Sequence, residues 1–303
     1  MKIKKKNLIS ILMNCYNSEK YIKEAIESLR IQSFKDWRLI IWDDASEDRT
    51  LELVRKFNDD RIQIFENKKH SGLGAGRIKA TKFLNSKYTS ILDSDDVFQR
   101  DKLEKQINIL ESNKNFGLVA SWYETINEKS KITKKTKINN DNKQIIENFL
   151  RENIFAHSSI IYRTDFAKNV GWYSNKYEFA QDYDLSLKLI NKYNFYVIEK
   201  FLVKIRNVSS NMSNSRALEK TRILEKIKIL DSNSKIYDLK SKLRKISNET
   251  IKIEKFKLLI IDFKKNFKLN CLFKILLFLV KNISIYLSLI KLLFKKLSIK
   301  SFN

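Results

Sequence analysis

"ISILMNCYNSEKYIKEAIESLRIQSFKDWRLIIWDDASEDRT", residues 9–50, contains two short apolar runs separated by an amphipathic segment. Short apolar runs bounded by turn-prone residues are typical of buried strands. Between them Ile22, Ala25, Ile26 and Leu29 recur at three- and four-residue spacing, which predicts a helix. A strand, a helix and a second strand in this order predict a βαβ unit with parallel strands.

The same alternation continues to about residue 115. Two further strands are predicted at 61–67 and 88–96, helices at 46–58 and 101–113, and a Gly-rich turn that leads into a helix at 70–86. The chain is therefore predicted to have an α/β fold with a mostly parallel sheet and helices on both faces. The segment GLGAG, residues 72–76, lacks the complete GxGxxG pattern of dinucleotide sites and the Lys-Ser or Lys-Thr pair of a P-loop, so a flexible turn is predicted there.

Polar and acidic residues follow three of the first four predicted strands, at 14–17, 43–44 and 93–96. Ligands of parallel sheets bind beyond the carboxyl ends of the strands, so these residues are expected to meet in one crevice. The sequence Asp93-Ser94-Asp95-Asp96 supplies three carboxylates, the ligands that Mg²⁺ or Mn²⁺ prefers. The alternative is a solvated turn in which Asp96 caps the next helix.

The 303-residue chain carries a formal net charge of +25, and 43% of its residues are hydrophobic. This hydrophobic content excludes a disordered polybasic protein. The charge fits either nucleic acid or an anionic membrane surface, but a chain rich in Lys, Asn and Ile and without Pro also fits a general composition bias. The absence of a recognisable nucleic-acid-binding module argues against a nucleic-acid partner.

Targeting features are few. Cys15 and Cys271 form no CxxC pattern, which excludes a disulfide framework and indicates a reducing cytoplasm. The basic N-terminus precedes an apolar run broken by Asn14, so a first buried strand is expected rather than a signal peptide. No internal segment reaches the roughly 18 uncharged apolar residues of a spanning helix.

The region 213–303 is Lys-rich and has the periodicity of helices. Within 271–299, Lys and Ser recur in steps of three, four and seven and form one narrow polar stripe on an otherwise apolar helix. Such a helix is suited to an anionic membrane interface. The alternative is packing on the domain or on a second subunit, as in a homodimer.

Several segments together resemble the nucleotide-sugar domain of family 2 glycosyltransferases. They are the stretch 9–50, then ILDSDD at 91–96, then QDYDLSLKL at 181–189, and the resemblance runs from about Leu8 to Arg206. It implies the GT-A fold and a metal-dependent, inverting transferase that uses a nucleotide-sugar, most often a UDP-sugar, with Mn²⁺ or Mg²⁺. The absence of the QxxRW signature of processive synthases favours single additions.

The resemblance also implies the residues of the donor site. Those expected to bind the nucleotide-sugar are Asn14, Tyr16, Asp44, Arg77, Asp93, Ser94 and Asp95. Asn14 and Tyr16 match the nucleoside pocket, Asp44 the residue that binds the base, and Arg77 an arginine near the nucleotide.

Two acids of the DSDD segment match the family's DxD pair, and a later acid matches the catalytic base. Asp93 and Asp95 form the pair that meets the ribose and the metal, and Asp96 is a further candidate metal ligand. Asp182 matches the base that takes the proton from the acceptor hydroxyl, with Asp184 or a helix-capping role for Asp182 as alternatives.

Departures from the family pattern leave other interpretations open. Gln181 stands where the family commonly has Glu, and Ile78 stands where it usually has Asn. A non-catalytic scaffold or partner subunit of the same fold is therefore an alternative. His157 and Trp122 are candidate acceptor contacts or, alternatively, packing residues.

These expectations give a domain plan. Residues 1–212 form a GT-A domain, with a nucleotide-sugar half to about 115 and an acceptor half from about 116, and residues 213–303 form a helical C-terminal region. The expected function is transfer of one sugar to a glycan or lipid-linked glycan of a bacterial surface polysaccharide, lipooligosaccharide or capsule. The expected location is the cytoplasm, at the inner face of the membrane.

Overall fold

The computed structural model describes residues 8–208, 215–236, 241–266, 274–275, 277–279 and 281–282. By its internal contacts the chain divides into two compact units, Met1–Asn214 and Ser215–Asn303. Every candidate functional residue of the sequence lies in the first unit.

Within the described residues, nine strands form one sheet. They are β1 (Ile9–Cys15), β2 (Trp37–Asp43), β3 (Ile62–Glu66), β4 (Tyr88–Ile91), β5 (Val97–Phe98), β6 (Phe116–Ile126), β7 (Ile132–Thr136), β8 (Ile161–Arg163) and β9 (Asn194–Arg206). The order across the sheet is β3-β2-β1-β4-β8-β6-β9-β5, and β7 pairs with β6.

The helices of the first unit connect these strands. They are α1 (Ile22–Arg30), α2 (Thr50–Arg55), α3 (Leu73–Ala80), α4 (Lys102–Ser112), α5 (Asn142–Phe149), α6 (Thr164–Asn169) and α7 (Gln181–Lys192). The α1 helix buries the four apolar side chains whose spacing predicts it, since each of them is 0% exposed.

The first four strands of the order are parallel. The β1 strand pairs with β2 on one side and with β4 on the other, and β3 pairs with β2. The side chains of Ile9, Ile11 and Met13 on β1 are 0% exposed, as expected for a central strand covered on both faces. The α/β fold is therefore confirmed, and this part of the sheet is parallel.

The rest of the sheet is mixed. The β8 strand joins the two parts through antiparallel pairs with β4 and β6, whereas β6 and β9 run parallel. The two-residue β5 strand follows the acidic segment 93–96 and pairs with β9 near its carboxyl end. This pairing draws the acidic segment towards the end of the last strand.

The α3 helix corrects the prediction of a flexible turn at residues 72–76. The helix begins at Leu73 and contains Gly74 and Gly76, and only Gly72, with φ of 90°, has turn geometry. A Cβ on Gly74 would lie 3.0 Å from the Tyr177 carbonyl oxygen, and one on Gly76 would lie 3.0 Å from Asn14 Nδ2. The glycines therefore allow close packing of a helix, which a pattern search cannot distinguish from a loop.

A buried lysine lies in the core of the first unit. Lys102 on α4 is 0% exposed. Its Nζ donates a hydrogen bond of 2.7 Å to Gln106 Oε1 and lies 4.1 Å from the centroid of the Phe98 ring. Burial holds the pKa of Lys102 well below the ordinary lysine value, so its neutral form is favoured in the fold.

The second unit is helical where the structure describes it, as the periodicity of the sequence predicts. Its helices α8 (Glu219–Ile236) and α9 (Ser241–Asn266) pack on each other, and Lys226 Nζ of α8 lies 2.6 Å from Glu254 Oε1 of α9. No helix among the described residues combines the length and apolar character needed to cross a membrane. Most of 271–299 lies outside the described residues, so its membrane and dimer roles stay predictions.

Candidate active site

The crevice lies at the carboxyl ends of β1, β2 and β4, as the sequence predicts for a parallel sheet. Asn17 and Ala45, which follow β1 and β2, have φ of 48° and 64°, so both segments turn sharply at the sheet edge. The Asp44 N–H donates to the Cys15 carbonyl oxygen at 2.9 Å and ties the two segments together. Neighbouring strands thus place the two segments side by side.

Asp44 is held by the segment that leads into α3. Its carboxylate accepts hydrogen bonds from Asn67 Nδ2 at 2.7 Å and from the backbone N–H groups of Ser71 and Gly72 at 2.8 Å each. Burial acts to raise the pKa of Asp44, but these hydrogen bonds outweigh it and hold that pKa below its usual range. Asp44 is therefore an ionised, rigidly positioned carboxylate.

Tyr16 lies beside the same segment. Its ring is 3.9 Å from that of His70, centroid to centroid, with an interplanar angle of 33°, and the tyrosine is 41% exposed. The His70 ring nitrogen Nδ1 lies 3.0 Å from Asp44 Oδ2. An exposed aromatic surface beside a fixed carboxylate can stack on and hydrogen-bond a nucleobase. The sequence analysis missed His70 and Asn67, because no motif marks the loop before α3.

Arg77 forms the centre of a second group of side chains. It is 5% exposed, and its Nη2 lies 3.2 Å from His157 Nδ1 and 3.8 Å from Asp93 Oδ1. His157 Nε2 in turn lies 3.0 Å from the Tyr173 hydroxyl. Burial, reinforced by the Arg77 charge, holds the pKa of His157 well below its ordinary value. His157 is thus a buried neutral partner of Arg77.

The segment 93–96 forms a tight turn. The Asp96 N–H donates to the Asp93 carbonyl oxygen at 3.0 Å, and the Ser94 hydroxyl lies 2.9 Å from that of Ser18. Asp93 keeps 35% of its side chain exposed to the crevice. Burial raises the pKa of Asp95 to about 6, and repulsion from Asp93 contributes to the rise. The two carboxylates therefore repel each other at close range.

Asp96 is more deeply buried than Asp93 and lies against the end of β9. It is 3% exposed, and its Oδ1 accepts a hydrogen bond of 2.9 Å from the Arg206 N–H at the end of β9. Burial raises the pKa of Asp96 well above its usual value, and the charges of Asp95 and Asp93 add to this rise. These contacts give Asp96 the surroundings of an anchor between two strands.

Arg206 is a site residue that the sequence analysis missed. Its side chain is 0% exposed, its Nε donates to the Asp95 carbonyl oxygen at 2.9 Å, and its Nη2 lies 2.6 Å from Glu24 Oε2. The guanidinium carbon lies 4.2 Å from the centroid of the Tyr21 ring. Arg206 therefore fixes the backbone of the acidic turn from 110 positions away in the chain.

The fit of a divalent cation can be judged from this donor set. In the part of the chain that the structure describes, no three His, Cys, Asp or Glu side chains are grouped to hold a metal ion by themselves. Mg²⁺ and Mn²⁺ usually bind one or two carboxylates together with substrate phosphates. The mutually repelling pair Asp93 and Asp95 fits that mode, since a cation would offset the repulsion.

Asp182 lies in the first turn of α7. Its Oδ2 accepts a hydrogen bond of 2.9 Å from Asn153 Nδ2. Burial raises the pKa of Asp182, and the Arg77 charge acts in the opposite direction. The charge of Asp182 also contributes to the raised pKa of Asp93, so both acids and Arg77 share one crevice. The structure thus brings together acids predicted from separate motifs.

Asp184 and Gln181 have other surroundings. The side chain of Asp184 is 2% exposed, and its Oδ2 lies 2.6 Å from Lys188 Nζ, which makes it an internal ion-pair residue. Gln181 is 0% exposed, and its Nε2 donates to the carbonyl oxygens of Gly74 at 3.2 Å and Ser174 at 2.9 Å. The departure from Glu therefore has a local reason: an ionised carboxylate could donate to neither carbonyl.

Trp122 lies in the other half of the sheet. Its Nε1 donates to the Ile138 carbonyl oxygen at 2.8 Å, its ring centroid lies 5.3 Å from that of Phe201, and the Nζ of Lys137 lies 5.3 Å from it. These contacts are those of a packing residue that supports the β7 edge. Its role as an acceptor contact stays a prediction.

The family is decided by a direct match. The family model described as glycosyl transferase family 2 matches residues 10–171, more than half of the chain. The chain belongs to this family. The match includes the crevice residues from Asn14 to Asp96, whereas Asp182 lies beyond it. A glycosyltransferase of this family is an enzyme, as the sequence predicts.

Relatives of this glycosyltransferase extend the match. The uncharacterized glycosyltransferase MJ1057 of Methanocaldococcus jannaschii is 36% identical over 207 residues, 66% of this chain and 71% of the relative. WfgD of Escherichia coli, a UDP-Glc:alpha-D-GlcNAc-diphosphoundecaprenol beta-1,3-glucosyltransferase, is 36% identical over 127 residues, 42% of this chain and 50% of WfgD. TuaG of Bacillus subtilis, a putative teichuronic acid biosynthesis glycosyltransferase, is 36% identical over 107 residues, 35% of this chain and 42% of TuaG. The alignments thus span half or less of WfgD and TuaG.

Solved structures share the fold. Residues 1–349 of Staphylococcus aureus TarS, in complex with UDP-GlcNAc, match with a TM-score of 0.68 at 20% identity, over 86% of this chain and 76% of that one. The mannosyltransferase PcManGT of Pyrobaculum calidifontis, in complex with GDP-Man and Mn²⁺, matches with a TM-score of 0.60 at 14% identity. The match covers 88% of this chain and 78% of that one. The predicted GT-A fold is therefore confirmed.

Proposed function

We propose that this glycosyltransferase moves one sugar from a nucleotide-sugar, a UDP-sugar first of all, to a hydroxyl group of a glycan acceptor with inversion at the transferred carbon. The observation that carries the proposal is the meeting of Asp93, Asp182 and Arg77 in one crevice, with Arg77 Nη2 3.8 Å from Asp93 Oδ1. Asp93 would lie on the donor side and Asp182 would be the base, with the Arg77 guanidinium between them. This arrangement is suited to transfer of a sugar from a phosphate ester to a hydroxyl.

The donor would occupy the ends of β1, β2 and β4. Tyr16 and Asp44 would receive the base, with Asn14 against α3, and Asp93 and Asp95 would lie at the diphosphate. When bound there, Mn²⁺ or Mg²⁺ neutralises charge that develops on the leaving diphosphate. TarS and PcManGT, which share the fold, are complexed with UDP-GlcNAc and with GDP-Man and Mn²⁺.

Asp182 would act as the general base. Its carboxylate would take the proton from the attacking acceptor hydroxyl, a step typically worth about 10² to 10⁴ in rate. The raised pKa of Asp182, which burial causes, makes it a stronger base than an ordinary aspartate. Asn153 would hold the carboxylate in place through its 2.9 Å hydrogen bond.

The acceptor class is proposed by analogy with the relatives, and the location is the one expected from the sequence. The name of WfgD specifies a lipid-linked GlcNAc diphosphate acceptor, and that of TuaG specifies teichuronic acid biosynthesis. By analogy, we assign this transferase to the synthesis of a bacterial surface polysaccharide, lipooligosaccharide or capsule, at the cytoplasmic face of the membrane.

The test is thermal unfolding of the purified protein with UDP, GDP or dTDP, each with and without Mn²⁺. A ligand at 100 times its Kd stabilises the native state by about 2.7 kcal/mol. Stabilisation that needs one nucleotide and the metal together is expected, and Asp95→Ala should remove the metal dependence. Release of UDP from UDP-sugars then tests turnover, which Asp182→Asn should abolish while nucleotide binding is kept.

Two results would contradict the proposal. Stabilisation by no nucleotide, with or without metal, would leave the acidic segment as a solvated turn. Nucleotide binding with no turnover on any sugar donor would support a non-catalytic scaffold of the same fold.

A further inference from the structure

A polar cleft of about 420 Å³ opens beside the candidate base. Its walls come from β6, β7, the segment 137–139, α5 and the residues that follow α5. They contribute hydroxyl and amide groups, from Tyr123, Asn139, Gln144, Asn148 and Asn153. Neutral donors and acceptors of this kind hydrogen-bond the hydroxyl groups of sugars.

Asn153 connects this cleft to the candidate base. It lines the cleft, and its Nδ2 donates to Asp182 Oδ2 at 2.9 Å. A molecule held in the cleft is therefore next to the carboxylate that we propose to take the acceptor proton. This position identifies the cleft as the place of the acceptor, and this inference rests on the proposed function.

The strand β7 presents its lysines to two opposite sides. Side chains alternate along a strand, so Lys134 and Thr136 share the side that lines the cleft, and Lys135 faces the other way. The pairing of β7 with β6 agrees with this orientation, because Thr136 lies opposite the cleft residue Tyr123. Lys135 already has an ion-pair partner, since its Nζ lies 3.2 Å from Glu124 Oε1.

The cleft itself has a positive wall. Lys134 and Lys137 line it, and within the described part of the chain the structure records no ion pair for either lysine. Glu152 is the one acid among the lining residues, so the two lysines leave an excess positive charge.

We propose that the acceptor of this transferase carries an anionic group, a phosphate or a carboxylate, which Lys134 and Lys137 bind in this cleft. The amide and hydroxyl groups of the cleft would hold the sugar that bears the reacting hydroxyl, and Asn153 would keep that hydroxyl at Asp182. The two lysines would thus select anionic acceptors over neutral ones.

The experiment titrates three probes into protein saturated with UDP and Mn²⁺, which keeps anions from the donor site. The probes are an alkyl diphosphate ester of GlcNAc, a methyl glucuronide and the neutral methyl glycoside of GlcNAc. Wild type and the variants Lys134→Ala, Lys137→Ala and Lys135→Ala are compared by calorimetry. Lys135→Ala is the matched control, because it removes the same charge from the other side of the same strand.

One anionic probe should bind about tenfold more tightly than the neutral glycoside, and the stronger of the two identifies phosphate or carboxylate as the group. Lys134→Ala and Lys137→Ala should each weaken the binding of that probe about three- to tenfold and leave the binding of the neutral glycoside unchanged. Lys135→Ala should retain wild-type binding.

Equal binding of charged and neutral probes would overturn the inference, as would an equal loss in all three lysine variants. The same titration without nucleotide separates the two proposals. UDP and Mn²⁺ could fail to bind while Lys134→Ala and Lys137→Ala still selectively weaken binding of the anionic probe. In that case the proposed function fails and the anion site stands. If UDP and Mn²⁺ bind but no probe discriminates between the variants, only the cleft assignment fails.

Discussion

Asn153 Nδ2 donates a 2.9 Å hydrogen bond to Asp182 Oδ2. The two residues are 29 positions apart; Asn153 is exposed, and Asp182 lies in the first turn of α7. The bond favours the ionised form of Asp182, against the burial that raises its pKa. Asn153 is therefore a positioning residue for the proposed base.

Asn153→Ala should reduce kcat about tenfold, since a hydrogen bond to a charged group contributes about 1.5 kcal/mol or more. Loss of the bond favours the protonated carboxyl, so the pKa of Asp182 rises and the acidic limb of the rate profile moves to higher pH. The measurement is kcat against pH at saturating donor. Asn148→Ala, at another exposed amide of the same cleft, should leave the limb in place. An unshifted limb in Asn153→Ala would count against the positioning role.

Arg206→Lys should weaken the metal-dependent binding of UDP about tenfold. An ammonium cannot reproduce the planar fork that reaches the Asp95 carbonyl oxygen and Glu24 together, so the acidic turn loses its support. The measurement is the Mn²⁺ dependence of the thermal shift with UDP. Glu24→Gln is the control, because it removes the ion pair but not the bond to Asp95. An unchanged metal dependence in Arg206→Lys would show that the turn holds its shape alone.

Gln181→Glu, although it restores the residue common in the family, should destabilise this chain by on the order of 3 kcal/mol at pH 8. The ionised carboxylate would be buried against two carbonyl oxygens. Burial would raise the folded-state pKa of the introduced glutamate above its unfolded value of about 4.3, so the variant loses stability as pH rises through that interval.

Urea unfolding at pH 5 and pH 8 measures the effect of Gln181→Glu. The exposed change Gln63→Glu controls for the added charge. Equal losses at both pH values would mean that packing at position 181, and not ionisation, limits the stability.

Lys102→Met should remove a pH dependence of stability. The folded-state pKa of Lys102 is depressed, and the unfolded value is about 10.4. Between these two values the unfolded chain binds one proton more than the folded chain, so wild-type stability rises with pH by up to about 1.4 kcal/mol per unit. The rise ends near pH 10.4, where the unfolded lysine also loses its proton.

The free energy of unfolding of wild type minus that of Lys102→Met, measured from pH 7 to 9.5, should therefore increase. The exposed change Lys143→Met should show no such slope. A flat difference for Lys102→Met would mean that the lysine keeps its proton in the core.

The local patterns of the sequence predict the fold and one side of the site. Apolar runs identify β1 and β2, and the acids that follow β2 and β4 do meet at one edge, because parallel strands place their carboxyl ends together. The three- and four-residue periodicity of α1 predicts its buried face. The helical start of α3 at Leu73 was missed, since glycine in a tightly packed helix has the same pattern as glycine in a turn.

Contacts between distant segments could not be predicted in this way. Arg206 reaches Asp95 because β5 pairs with β9, and Asn67 reaches Asp44 because β3, which Asn67 follows, pairs with β2. Neither polar residue stands in a recognisable motif. Their partners are set by the order of strands in the sheet, and a single sequence does not contain that order in any local pattern.

The pairing of β5 with β9 also determines when the site can form. The acidic turn at 93–96 is released from the ribosome more than 100 residues before Arg206, whose N–H and guanidinium hold it. During synthesis this turn therefore carries its repelling carboxylates without their anchor. A nascent chain that ends at residue 115 contains every strand of the parallel half and still lacks the β9 residue that holds the acidic turn. Separate expression of the two halves would yield no active fragment, and activity would return only when both are produced together.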